Sequence, residues 1–197
     1  MTVEPISSTP EVEAKVVEGA LRAIARFGLA KLTVDDVARE AGISRATLYR
    51  YFPGRSAVLA AVVRSETDRL QRGLDEALGE ATTLAEALEA VAGFGAGAFA
   101  GHAALQHLLA TEPGAVLPHL CFNGADTLLG FCADRIAPHL CRFMGPLEAR
   151  RTGEWLARIV LSYGLAPPPD GAIEGAVLEV VREFVITRER PEVDPVA

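Results

Sequence analysis

Arg45, Thr47, Tyr49, Arg50 and Tyr51 place two guanidinium groups, a hydroxyl and two phenols within seven residues. Guanidinium and hydroxyl groups hydrogen-bond to phosphates and base edges. Aromatic rings pack on sugar or on a thymine methyl. Arg55 follows Pro53 and Gly54, where a cation and the start of a helix can together hold a phosphate. This chemistry suits a groove lined by a polyanion. Arg45, Thr47 and Tyr49 are expected to make base-edge or groove contacts. Arg50, Tyr51 and Arg55 are expected chiefly to hold phosphates, while Ser44 and Thr33 cap helices and touch phosphate.

Other chemistry in the chain is thinner. His119 and His139 each stand two residues before a cysteine, Cys121 and Cys141. Four such ligands could hold zinc if brought together. Neither pair has Cys-x-x-Cys spacing, and His-x-Cys ligands on one regular helix point apart, so no metal is expected. Cys121, Cys132 and Cys141 form an odd set in a compartment read as reducing, which argues against disulfides. They read as small buried hydrophobes. There is no G-x-S-x-G, no H-E-x-x-H and no phosphate-binding glycine loop, so neither catalysis nor a cofactor is expected.

The contact residues need elements to aim them. Thr33 is a good N-cap, with Asp36 three residues on as a short capping-box acid and Asp35 and Asp36 in the first helical turn. Val34, Val37, Ala38 and Ala41 fall at helical spacing. Ala38 is small where a second helix would cross, and Gly42 can take the positive φ of a tight turn. Ile43 plugs the angle between the helices, and Ser44 caps the next one. Ala46 and Leu48 lie near that helix's inward side, with Leu48 the core anchor. Pro53 stops the helix. A small residue, a glycine four later and an apolar residue six after that is helix-turn-helix spacing over 33–52.

Here the chain resembles the TetR family of bacterial transcriptional regulators. The matching residues are EVEAKVVEGALRAIARFGLAKLTVDDVAREAGISRATLYRYF and the following PGRSAVLAAVV. The family usually has a small or polar residue plus lysine after the aromatic pair, where this chain has Gly54 and Arg55, keeping the charge. The resemblance covers about the first third of the chain. It implies a double-stranded operator as partner, a C-terminal domain that binds a small molecule, and a homodimer through its last two long helices. It also implies a repressor released by its effector.

Net charge is −7, which at first sight opposes DNA binding. Its distribution does not: residues 22–64 hold eight Lys and Arg against three acids, a local +5 that leaves −12 elsewhere. Attraction to phosphate acts over about 10 Å, so the local charge governs, and an acidic remainder helps to orient the basic end. No run of eighteen apolar residues exists, and MTVEPISSTPEVE is too acidic for a signal peptide. A cytoplasmic protein with no membrane contact is expected.

The pattern stays helical to the end, and the sequence predicts an all-α protein of about nine helices. Its expected parts are a disordered arm (1–10), a DNA-binding domain (11–64), a helical ligand-binding and dimerisation domain (65–190) and a tail (191–197). In the first helix Val16, Val17, Ala20, Leu21, Ile24 and Phe27 should point inward. Val58, Leu59, Val62 and Val63 of the fourth should pack on it. Gly93, Gly95, Gly97 and Gly101 each cost helix stability and read equally as a flexible cavity wall or as close packing. The EPGAVLP run breaks the pattern before helix resumes over 120–136. Trp155, Ile159, Val160 and Tyr163 give 147–165 a broad apolar surface, and 173–187 is apolar nearly all round, so a partner subunit could cover part of both.

Candidate ligand contacts are Phe94, Phe99, Leu105, Leu109, Leu117, Phe122, Phe131 and Trp155, with Leu108, Leu120, Leu128 and Phe143 as further apolar lining. Few charges lie within 93–109, so a hydrophobic small-molecule effector, such as an acyl chain, fits better than a sugar phosphate. Two other readings stay open. One is a DNA-binding activator or nucleoid-type protein with no ligand. The other is a helical enzyme or lipid carrier in which the basic region is incidental.

Overall fold

The computed structural model describes residues 10–122 and 127–189, and the side chains of 121–122 and 185–189 fall outside that description. The expected arm, apart from Pro10, and the expected tail therefore lie outside the described residues. Ten α-helices and no strand are found among the described residues. They are α1 (Pro10–Phe27), α2 (Val34–Ala41), α3 (Arg45–Tyr51), α4 (Arg55–Gly79), α5 (Leu84–Ala100), α6 (Ala103–Thr111), α7 (Pro113–Leu117), α8 (Leu128–Leu140), α9 (Pro146–Leu165) and α10 (Ile173–Glu189). A single π-helical turn, Pro118–Phe122, follows α7. No single helix is long and apolar enough to cross a membrane.

The extra helix is α7, which occupies the expected break. Pro113 starts it, at a position where a missing N–H costs nothing. Conversely, α8 begins eight residues later than the expected 120 and carries Pro138 inside its last turn. The α5 glycines leave that helix unbroken from Leu84 to Ala100. At position 95 a Cβ would sit 3.2 Å from Val160 Cγ2, so this glycine admits α9.

The chain forms two compact units. One comprises the residues up to Leu70 together with His102–Leu117, and the other Gln71–Gly101 with Pro118 onward. This differs from a single boundary at 64/65, because α6 shares a core with α1. Ala104 is 5% exposed within that core, and Leu108 packs against it.

In the first unit Val16, Val17, Ala20 and Ile24 of α1 pack with Val37 and Ala38 of α2, Leu48 of α3, and Val58 and Val62 of α4. Leu21 and Phe27 flank the cluster as expected. Two residues depart from expectation. Val63 is 64% exposed because it lies about 100° round α4 from the buried Val62, and Ala46 is exposed on the outer face of α3.

The second unit packs Leu74 and Leu78 with Leu88, Val91 and Phe99 of α5, Ile136 and Leu140 of α8, Leu156 and Leu161 of α9, and Val177 and Val181 of α10. Gly153 lets α8 and α9 approach closely, since a Cβ there would meet Ile136 Cβ at 3.2 Å. The N-terminus of α5 repeats the device at α2, a capping box of Thr83 and Glu86.

Candidate nucleic-acid interface

The placement of α3 is fixed by local bonds at both ends of α2. Thr33 caps α2: its Oγ1 accepts the Asp36 N–H at 3.1 Å and donates to Asp36 Oδ2 at 2.5 Å, while its own N–H donates to Asp36 Oδ2 at 3.3 Å. The Thr33 hydroxyl, acting first among several donors, holds the Asp36 carboxyl below the usual aspartate range. Asp36 also pairs with Arg39.

At the other end Gly42 takes φ 66, a left-handed conformation that disfavours a side chain, and its N–H closes α2 on Ala38 and Arg39. Ser44 then caps α3, its Oγ accepting the Thr47 N–H at 3.1 Å and meeting Thr47 Oγ1 at 2.8 Å. Leu48, fully buried, anchors the inner face. Turn, caps and anchor together leave one face of a seven-residue helix free.

That outer face carries the contact candidates. Arg45 and Arg50 are exposed, and Tyr49 is 43% exposed, a large exposure for an aromatic ring in a folded chain. The Arg45 guanidinium lies 5.4 Å from the centre of the Tyr49 ring and pairs with Asp35 at 3.1 Å. Arg50 stacks on Tyr51 at 4.9 Å and donates to its hydroxyl at 3.3 Å. Thr47 and Tyr51 are half-buried, and the Tyr51 ring rests on the core, so its outward group is the hydroxyl.

The remaining expected contacts sit differently. The exposed Arg55 spends one N–H on the Leu29 carbonyl at 2.6 Å, tying the start of α4 to the α1–α2 loop and leaving four other N–H donors. Ion pairs engage part of the local charge, and Glu13, outside the 22–64 count, offsets one further unit of it. Arg22 and Arg26 pair with Glu40, and Arg64 with Glu13. The arginine of each pair is more than half exposed and surface pairs are individually worth about 0–1 kcal/mol, so phosphates can compete for the same guanidinium groups.

Glu112, which no local sequence signal marks, supports the same region. Its Oε2 accepts the Ala30 N–H at 2.9 Å, and its Oε1 lies over Gly28, where φ is 77 and a Cβ would strike it. His102 caps α6 through Nδ1, which accepts the Leu105 N–H at 3.1 Å, so its Nε2 carries the proton toward Glu66 at 3.1 Å. That bond, ahead of the charge of Arg69, holds the Glu66 carboxyl below its usual range.

The candidate ligand residues divide between the units. Leu105, Leu109 and Leu117 belong to the first. Phe94, Phe99, Phe131 and Trp155 belong to the second, and the Phe122 side chain lies outside the described residues. Phe94 fills the space over Gly73 and Phe99 the space over Gly164. Trp155 stacks on Phe184 at 4.4 Å, and Phe131 carries Arg135 at 5.4 Å. An open groove of about 510 Å³ in the second unit is lined instead by Ala96, Gly97 and Ala100 of α5 and by 171–175 and Leu178, Glu174 among them.

No cluster of three metal-ligating side chains occurs among the described residues, and His139 contacts Asp75 at 3.1 Å. Cys141 is exposed at the end of α8, contrary to the expectation that all three cysteines are buried, whereas burial pushes the Cys132 thiol up to about 12. The Cys121 side chain lies outside the described residues.

Residues 16–62 match the family described as bacterial regulatory proteins, tetR family. Over 66 residues the chain is 39% identical to the HTH-type transcriptional regulator EthR of Mycolicibacterium smegmatis, covering 34% of this chain and 30% of that protein. Over 76 residues it is 37% identical to the HTH-type transcriptional regulator BetI of Agrobacterium fabrum, covering 39% and 37%. The chain thus aligns with only about a third of the length of these curated relatives.

Similarity of fold extends further. The TetR family repressor AlkX from Dietzia sp., implicated in biodegradation of n-alkanes, superposes with a TM-score of 0.60 at 20% identity over 91% of this chain and 96% of that one. The transcriptional regulator FadR from Bacillus subtilis, solved in complex with stearoyl-CoA, gives 0.59 at 18% identity over 85% and 96%.

Proposed function

From the match of residues 16–62 to the tetR family of bacterial regulatory proteins, we propose a dimeric repressor that binds a palindromic operator through α3 and is released by a hydrophobic small molecule. The outer face of α3 carries this reading: Arg45, Tyr49 and Arg50 stand exposed on a helix fixed by two caps, a left-handed glycine and a buried leucine. In this reading Arg45, Thr47 and Tyr49 face base edges. Arg50, the Tyr51 hydroxyl and Arg55 face phosphates, with Thr33 and Ser44 beside them. The dimer forms through α9 and α10, and on α9 Leu147 and Leu165 are 66% and 41% exposed. Two recognition helices then read half-sites related by about one turn of duplex or more.

The effector proposal draws support from likeness. One neighbour of similar fold was solved with stearoyl-CoA, and another is a repressor implicated in n-alkane biodegradation. An acyl chain is therefore the class to try first, with Phe94, Phe99, Phe131 and Trp155 of the second unit as candidate contacts. Binding would shift the population toward a spacing of recognition helices that mismatches the operator. A ligand-free regulator is the second reading. It is favoured by the use of Phe94, Phe99 and Trp155 in close packing within the second unit.

The test is a titration against duplex DNA from upstream of the chain's own gene, at physiological salt with scrambled duplex as competitor. Tight binding that survives competition and fails in Arg45→Ala is the expected result. Addition of a long-chain acyl-CoA should then release the DNA. Equal loss to scrambled duplex, with genome-wide selection also enriching no site, would refute the regulator reading. Specific binding unmoved by acyl ligands would favour the ligand-free one.

A further inference from the structure

We propose that Asp35 is a specificity-determining residue, positioning the Arg45 guanidinium for base readout. The inference rests on the DNA-binding reading of α3. Three acids lie in the basic segment 22–64, and two of them have structural employment. Asp36 completes the capping box of α2, and Glu40 pairs back to Arg22 and Arg26 of α1.

Asp35 has a different partner. From the first turn of α2 its carboxylate reaches the first residue of α3, accepting from Arg45 Nη1 at 3.1 Å. The Tyr49 ring, one helical turn along α3, lies 5.4 Å from the same guanidinium. One edge of the group is thus held by a carboxylate and one face by an aromatic ring. Both members of the pair are more than half exposed, so the remaining N–H groups stay open to a third partner.

The consequences of the two contacts differ in kind. A carboxylate on a DNA-facing surface repels phosphate whatever the base sequence, and so lowers non-specific binding. A guanidinium already oriented loses less freedom when it meets the O6 and N7 acceptors of guanine, so the same carboxylate favours the matching site. Asp35 therefore acts through Arg45, lowering affinity for all DNA while raising the preference for one base pair.

The experiment is selection from a random duplex library, followed by titration of the selected site and each single-base variant. The proteins are the native chain, Asp35→Asn, Asp35→Glu, Arg45→Ala and the double variant, with thermal melting to confirm folding. The native chain should enrich guanine at one position per half-site, and Arg45→Ala should erase that preference. Asp35→Asn should bind scrambled duplex more tightly and lose preference at that same position by on the order of tenfold. Asp35→Glu, which keeps a carboxylate, should recover part of it. In the Arg45→Ala background Asp35→Asn should change no position selectively.

A uniform change across all sequences in Asp35→Asn, or an equal positional effect with Arg45 absent, would overturn the assignment while leaving DNA recognition standing. No enriched site for the native chain would instead overturn the regulator reading, and this inference with it.

Discussion

Gly19→Ala should destabilise the protein, although alanine is the better helix former. Gly19 is buried in the middle of α1, where replacing glycine by alanine is ordinarily worth about 1 kcal/mol. A Cβ there would lie 2.6 Å from the Ala41 nitrogen and 2.8 Å from its Cα and Cβ. Non-bonded heavy atoms of this kind settle at about 3.5–4.0 Å, so α2 must retreat by about 1 Å. The obstacle is backbone, not the movable end of a side chain, and α2 is pinned by Val37 and Ala38, 1% and 4% exposed.

Overpacking of a tight core costs about 1–3 kcal/mol, and a backbone clash belongs at the upper end. Subtracting the helix gain leaves a net loss of about 1–2 kcal/mol, a fall of about 2–8 °C in melting temperature for a chain of this size. Gly97, in the last turn of α5, is the control: nothing stands within 4 Å of its Cβ position, so Gly97→Ala should stabilise, by up to about 1 kcal/mol. Thermal melts followed by far-UV circular dichroism, at one protein concentration, compare the signs directly. A Gly19→Ala protein that melts at or above the native temperature would refute the close crossing of α1 and α2.

Three further outcomes are expected. Thr33→Ala should cost about 1 kcal/mol in urea denaturation through loss of the α2 cap, with Thr33→Ser nearly neutral; equal losses in both would point away from the hydroxyl. The Glu66 carboxyl titrates below its ordinary value in the folded chain, so its stabilising contribution is complete above about pH 4.3 and is lost as pH falls through the lowered native value. Glu66→Gln should flatten that acid limb of a stability-against-pH curve, and an unchanged limb would count against the His102 contact. Finally, a maleimide at neutral pH should label Cys141 in the folded protein and reach Cys132 only on unfolding, as peptide mapping would show.

How much of this was legible beforehand follows from how local each cause is. Thr33, Gly42, Ser44 and Leu48 act within one or two helical turns, so residue type and spacing disclose the helix-turn-helix. Exposure of Val63 and Ala46 was missed because short apolar side chains fit either face of a helix. The pairing of Asp35 with Arg45 crosses ten residues and a turn, and the reach of Glu112 to Ala30 crosses eighty-two, beyond any periodicity. In the second unit phenylalanines over glycines and phenylalanines around a ligand have the same composition. The aromatic positions could be found there, but not their use.

The contribution of α6 has a consequence for the exchange of parts between such proteins. The recognisable segment ends at residue 62, yet α1 is walled by Ala104 and Leu108 and its following loop is held by Glu112. A reading head cut from this chain after α4 would leave apolar surface on α1 bare and the Ala30 N–H without its carboxylate. Transplanted alone onto another C-terminal helical domain, it would meet a different α6 and inherit a mismatched wall. The transferable module is discontinuous, and a chimera that keeps this unit's fold would need 102–117 to travel with the first 70 residues.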